Sequence, residues 1–141
     1  MFRGEVIVLF LGVCALASGW GRHWQSSGAY GVMTCNGVPV SNVLVKLYDH
    51  DTFTPDDKMA ETKTDANGRF QLAGKAKEWT TINPRLNVYH DCNDRLPCQR
   101  KFTIKIDSRY VNDGEQATKL YPAGTMELSG KYPGEKRDCI H

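Results

Sequence analysis

The stretch TDANGRFQL, Thr64 to Leu72, combines turn chemistry and strand chemistry residue by residue. Asn67-Gly68 is a dipeptide that tolerates two consecutive positive φ angles, which a type I′ hairpin turn demands. After it, Phe70 and Leu72 alternate with Arg69 and Gln71, the period of two expected where one strand face meets a core and the other meets water. The stretch therefore predicts a β-hairpin, with its incoming strand over residues 61–65 and its outgoing strand reaching Leu72.

The same period of two recurs on both sides of it. In VLVKLYD, Val43, Val45 and Leu47 alternate with Leu44, Lys46 and Tyr48; in KFTIKID, Phe102, Ile104 and Ile106 alternate with Lys101, Thr103 and Lys105. Leu86, Val88 and His90 share a face in TTINPRLNVYH, Tyr30 and Val32 open an earlier strand, and Met126 and Leu128 mark a late one. Asn36-Gly37 supplies another turn, and Pro39 limits ladder bonding after it. Helical periodicity is weak, with at most a short turn around residues 107–111 or in the KAKEW segment, residues 75–79, that leaves the outgoing strand. Seven or eight short strands with turn signals every eight to twelve residues predict an all-β, antiparallel β-sandwich over residues 29–141.

The chain has 141 residues, enough to bury one core, and 18 Lys and Arg against 16 Asp and Glu. A net charge of +2 without a basic tail argues against a nucleic-acid partner. At the N-terminus, Arg3 precedes an apolar run from Val6 to Ala17 and a group of small residues. This layout predicts a signal peptide over residues 1–19, cut after Ala17 or after Gly19, and the run is too short to span a bilayer. A short flexible lead-in over residues 20–28, carrying Trp20 and Trp24, is expected to follow. Cleavage would remove Cys14 and leave Cys35, Cys92, Cys98 and Cys139, an even set that in a secreted chain reads as two disulfides. Three pairings are open; the spacing favours Cys92 with Cys98 and Cys35 with Cys139.

Sites of chemistry are harder to find. Asp49, Asp51, Asp56 and Asp57 crowd one connection, but it lacks the sixth-position glycine and twelfth-position glutamate of an EF-hand and reads as a solvated loop. The cysteines lack the paired spacing of a zinc site. His23, His50, His90 and His141 are the candidate bases near neutral pH, and no serine or cysteine lies in a nucleophile motif. His90, on the apolar side of its strand, reads as a hydrogen-bonded, half-buried residue. Neither a cofactor, a metal nor a catalytic set is expected.

NGVPVSNVLVKLYD followed by TDANGRFQL, with HDCND, PCQRKFTIKI and GEKRDC downstream, resembles the nematode transthyretin-like family from about Tyr30 to Cys139. The resemblance implies a transthyretin-type (prealbumin-like) sandwich, an extracellular location and structural disulfides, and it implies no single ligand. The hydroxyisourate hydrolases of this fold keep a C-terminal Y-R-G-S, whereas this chain ends GEKRDCIH. The expectation is a secreted, non-enzymatic module for an extracellular protein or an anionic lipid head group. Lys75, Lys77, Arg95, Arg100 and Lys101 form its candidate ligand surface; a carrier of small apolar molecules is the alternative.

Overall fold

The computed structural model describes residues 21–141. The segment read as a signal, with its cleavage positions and Trp20, lies outside the described residues. Ten strands follow: β1 (His23–Cys35), β2 (Val38–Pro39), β3 (Leu44–Asp49), β4 (Asp57–Lys63), β5 (Arg69–Glu78), β6 (Pro84–His90), β7 (Gln99–Lys105), β8 (Asn112–Asp113), β9 (Tyr121–Glu127) and β10 (Lys136–Asp138). A single 3-10 turn, Ser108–Tyr110, is capped by the Asp107 carboxylate.

The strands form two five-stranded sheets packed face to face as a β-sandwich, the architecture expected from the sequence. In sheet A, β1 is central: it pairs with β5 on one side, with β8 and β9 on the other, and with β2 at its C-terminal end. Sheet B runs β10-β7-β6-β3-β4. Every pairing is antiparallel except β1 with β9, which is parallel. Val45, Leu47, Leu86, Val88 and Phe102 from sheet B and Phe70, Leu72 and Met126 from sheet A, inward positions read from the alternation, meet between the sheets; β1 contributes Ala29 and Met33 instead of Tyr30 and Val32, which line an open groove, Tyr30 being 46% exposed. Each of the larger side chains contributes roughly 1.5–3 kcal/mol by leaving water.

The opening stretch is not a hairpin. β4 pairs with β3 in sheet B while β5 pairs with β1 in sheet A, so Thr64–Arg69 carries the chain from one layer to the other. The turn is closed by the Gly68 N–H donating to the Asp65 carbonyl at 3.0 Å, and Asp65 Oδ1 accepts from the Asn67 and Arg69 amides at 2.9 Å each. Gly68 (φ 74°) is its one left-handed residue, so it lacks the two positive-φ centres of type I′. That geometry occurs instead at Asn36 (φ 53°) and Gly37 (φ 78°), between the paired Cys35 and Val38.

The expected flexible lead-in is also corrected, because β1 begins at His23 and pairs with β5 from His23↔Glu78 to Val32↔Arg69. Its inward residues there are polar or small, which hides the alternation. Their bonds go to loop backbone: Gln25 donates to the Thr80 carbonyl at 2.7 Å and accepts from the Ile82 amide at 2.9 Å, and the Ser27 hydroxyl donates to the Tyr110 carbonyl at 2.9 Å.

The disulfides join Cys35 to Cys92 and Cys98 to Cys139, overturning the pairing favoured by spacing. Cys92 is buried beneath the end of β1, 5.7 Å from Cys35 between Cα atoms, so this bond ties sheet A to sheet B. The register Asp138↔Gln99 between β10 and β7 brings Cys139 beside Cys98, with Cα atoms 4.3 Å apart. The sandwich thus has a disulfide end. At its other end lie the start of β1, the end of β5 and the β3–β4 connection.

Candidate functional site

Residues directly opposite one another on paired strands share a face. On the outer face of sheet B this gives a row Lys63, Leu44, Tyr89, Lys101, Lys136 and another row Lys58, Tyr48, Arg85, Lys105. Between them run Glu61, Lys46, Asn87 and Thr103. Two of these cations have carboxylate partners, Lys58 with Glu61 at 2.6 Å and Lys101 with Asp138 at 3.5 Å. Among the described residues, Lys63, Arg85, Lys105, Lys136 and the buried Lys46 have no carboxylate in ion-pair range, and the Arg85 Nε is buried without a hydrogen-bond partner. Lys46 and Lys101 bracket the Tyr89 ring at 5.6 and 5.5 Å, and His141 stacks on that ring at 4.3 Å.

The five residues singled out from the sequence do not form one surface. Lys75 and Lys77 lie on the outer face of sheet A, where they sit over the Trp24 ring at 4.7 and 5.7 Å, and Lys75 pairs with Glu115 at 2.8 Å. Lys101 belongs to the opposite outer face. Arg100, one residue earlier, points inward and is 9% exposed. Its guanidinium makes two bonds to the Glu135 carboxylate, at 2.9 and 3.1 Å, and donates to the Cys92 and Gly130 carbonyls at 2.8 Å each. It is an internal strut. Arg95 is exposed in the loop between β6 and β7. Alternation along β7 separates 100 from 101, and the division of β5 and β7 between sheets separates the rest. Lys63, Arg85 and Lys136 were missed because they converge only through the register of five strands.

Along sheet A, Tyr30 and Val32 of β1, Arg69 and Gln71 of β5, and Pro122 and Thr125 of β9 line an open groove of about 610 Å³. The histidines are dispersed. His23 is exposed at the start of β1, His50 contacts Asp56 at 3.1 Å, and His141 lies on Tyr89. His90 is 2% exposed; its Nδ1 accepts from the Cys92 amide at 3.1 Å, and burial, aided by the Arg100 charge, holds it neutral by pushing its pKa down. This agrees with its reading as a hydrogen-bonded strand residue, with deeper burial than expected. At the disulfide end, the Glu127 carboxylate accepts from the Asn36, Gly37 and Ser129 amides and the Thr34 hydroxyl, which holds its pKa down at about 2.

The connection read as a solvated acidic loop contributes to a tighter group. Asp49, Asp51 and Asp57 meet Glu78 of β5, with one carboxylate oxygen from each lying within 4.8 Å of the others. Asp49, Asp51 and Glu78 border a cleft of about 340 Å³ that Thr52, Thr54, Thr80 and Thr81 also line. Asp49 ends the inward-facing series Val45, Leu47, Asp49 and is 2% exposed. Burial raises its pKa against the Asn83 amide bond, and Asp51 and Asp57 raise it further; Glu78 is raised by burial and by Asp51 and Asp49.

Residues 30–107, from the middle of β1 to just past β7, match the sequence model of the transthyretin-like family. This chain belongs to the transthyretin-like family. Transthyretin-like protein 5 of Caenorhabditis elegans is 49% identical over 137 residues, covering 94% of this chain and 99% of its own length. Transthyretin-like protein 2 of the same organism is 48% identical over 124 residues, covering 83% and 84%. Among solved structures, a Cyanothece 9R-lipoxygenase overlaps 74% of this transthyretin-like chain and 16% of its own, at a TM-score of 0.40 and 20% identity. Among the described residues, no helix is long and apolar enough to cross a membrane.

Proposed function

We propose that this transthyretin-like protein is a secreted, non-enzymatic binding module that docks onto an anionic lipid head-group surface through the outer face of sheet B. The observation that carries the reading is the set of four solvent-accessible cations on that face, Lys63, Arg85, Lys105 and Lys136, without carboxylate partners among the described residues. Cations near an anionic bilayer gain about 1 kcal/mol each, so four suffice for a weak, reversible and salt-sensitive association. Two disulfides fit an oxidising compartment. The non-enzymatic part is supported by the dispersal of the four histidines, none of which neighbours a nucleophile arranged for proton transfer.

With sheet B against the lipid, the outer face of sheet A, with Trp24 and Tyr30, is left free for a protein partner. The test is co-sedimentation of the oxidised protein with vesicles of neutral lipid and of neutral plus anionic lipid. Preference for the anionic vesicles that fades as salt rises is expected; equal behaviour with both at moderate salt overturns the lipid reading. The groove over Tyr30 and Pro122 favours a second reading, carriage of a small apolar molecule. Uptake of an apolar dye that Tyr30→Ser abolishes would support it over docking.

A further inference from the structure

We propose that Asp49, Asp51, Asp57 and Glu78 form a calcium-type divalent-cation site that joins the two sheets at the end of the sandwich remote from Cys35–Cys92. It is distinct from the basic face and does not depend on the lipid reading. The register places Asp49 directly opposite Asp57 on β3 and β4, where like charges repel. Asp51 follows in the connection, and Glu78 reaches the group from β5 of sheet A. Among the described residues, no Lys, Arg or His forms an ion pair with any of the four. Arg22, whose charge acts on Glu78 without an ion pair, spends its guanidinium hydrogen bonds on the Lys77 carbonyl at 3.1 and 2.6 Å, and His50 contacts Asp56.

A second observation is independent of the clustering. Asp49 is 2% exposed; its Oδ1 accepts from the Asn83 amide at 2.9 Å, but its Oδ2 is buried with no N–H or hydroxyl donor, and the side chain close enough to share a proton with Asp49 is another carboxyl, Glu78. A buried carboxylate oxygen needs a donor or a cation. This one belongs to a side chain whose ligating oxygen lies within 4.8 Å of those from three other carboxylates. Oxygen-only donors of this charge suit a hard cation, and calcium accepts six to eight of them in irregular geometry, mono- or bidentate. Magnesium holds its waters and demands a stricter octahedron. Thr52 and Thr54, which line the cleft, and solvent entering it can complete the shell. Glu78 makes the site invisible to a loop motif, because it comes from another sheet 21 residues beyond Asp57 in the sequence.

The test uses chelator-treated, oxidised protein, titrated with CaCl2 by calorimetry and melted in chelator, in CaCl2 and in NaCl of matched ionic strength. Saturable binding with a Kd on the order of 0.1–1 mM is expected, the range of extracellular calcium modules, with a rise in Tm that NaCl does not reproduce. Asp57→Asn, on the exposed rim, should weaken binding by about tenfold, since affinity follows ligand charge. In chelator the same variant should melt no lower than the parent, because it removes one of two opposed charges; in CaCl2 it should melt lower. That crossing separates a cation ligand from a merely structural carboxylate. Asp51→Asn, in the connection, provides the same comparison if Asp57→Asn folds poorly. Absence of saturable heat, equal melts in CaCl2 and NaCl, or unchanged affinity in both variants overturns the proposal; magnesium acting as strongly as calcium overturns the choice of ion.

Discussion

Replacing Lys63 and Lys105 by glutamine tests the basic face at two cations that come from different strands, β4 and β7, and have no carboxylate partner among the described residues. Both side chains are exposed, so folding should change by less than about 0.5 kcal/mol. Each cation near an anionic leaflet is worth about 1 kcal/mol, so the four solvent-accessible unpaired ones account for about 4 kcal/mol and the double variant should lose about 2 kcal/mol. That is about a thirtyfold fall in the partition coefficient. The assay is co-sedimentation with anionic vesicles near 0.15 M salt, where the Debye length of about 8 Å leaves only charges close to the surface effective. The matched control is Lys75→Gln with Lys77→Gln, which removes the same charge from the opposite outer face. Binding by the control should stay within about twofold of the parent, the allowance for a long-range charge effect. Equal losses in the two double variants would refute docking by sheet B, since they would show that net charge, and not a face, sets the affinity.

Arg100→Met should lower unfolding stability by about 3–5 kcal/mol in urea titration, because it leaves Glu135 buried and removes donors from the Cys92 and Gly130 carbonyls; adding Glu135→Leu should recover part of that loss. Gly68→Ala should cost about 1–3 kcal/mol by the same measurement, since φ is 74° there and the new Cβ would meet the Met33 carbonyl oxygen. For Glu127 the sign follows from a folded pKa depressed to about 2: its stabilising contribution is complete above the unfolded carboxylate value near 4.3 and disappears as pH falls through about 2. The stability gap between the parent and Glu127→Gln, followed by thermal melts from pH 7 downward, should therefore hold to about pH 5 and close by about pH 2; a gap independent of pH would mean that the charge of Glu127 is not what stabilises the Asn36-Gly37 turn.

The strands that alternate cleanly, β3 and β7, were legible because Val45, Leu47, Phe102 and Ile104 are large and apolar on one side while lysines, Lys46, Lys101 and Lys105, recur on the other. β1 was half legible: from Tyr30 onward it carries Val32 and Met33, but its first half faces inward with Gln25 and Ser27, whose bonds to distant backbone no local pattern records. The two Asn-Gly pairs have the same local chemistry and different outcomes. Asn36-Gly37 closes the type I′ turn, while Asn67-Gly68 belongs to a turn that changes sheets, because Asp65 holds its amides and β4 already has its partner in β3. The cysteines followed the same logic: their number fixed two bonds, but the pairing depended on β1 ending over the β6–β7 loop and on β10 adding to β7. Neither the basic face nor the acidic group could be read from spacing, since each is assembled by register across strands far apart in the chain.

The two ends of the sandwich meet the same mechanical requirement in different ways. At one end Cys35–Cys92 joins the sheets across 57 residues of chain, a closure worth about 4 kcal/mol by its effect on the unfolded state. At the other, the elements that would have to be joined, the end of β3, the start of β4 and the end of β5, present carboxylates to one another and carry no covalent tie. Without a cation, their repulsion and the unpartnered Asp49 oxygen push β5 away from the β3–β4 connection; with one, the same groups pull the sheets together. The disulfide end should then keep its amide protection whether or not calcium is present, while amides of residues 49–57 and 76–82 should gain protection only in calcium. The covalent bond fixes the sandwich, and the carboxylate end makes the seal at its far edge conditional on the medium.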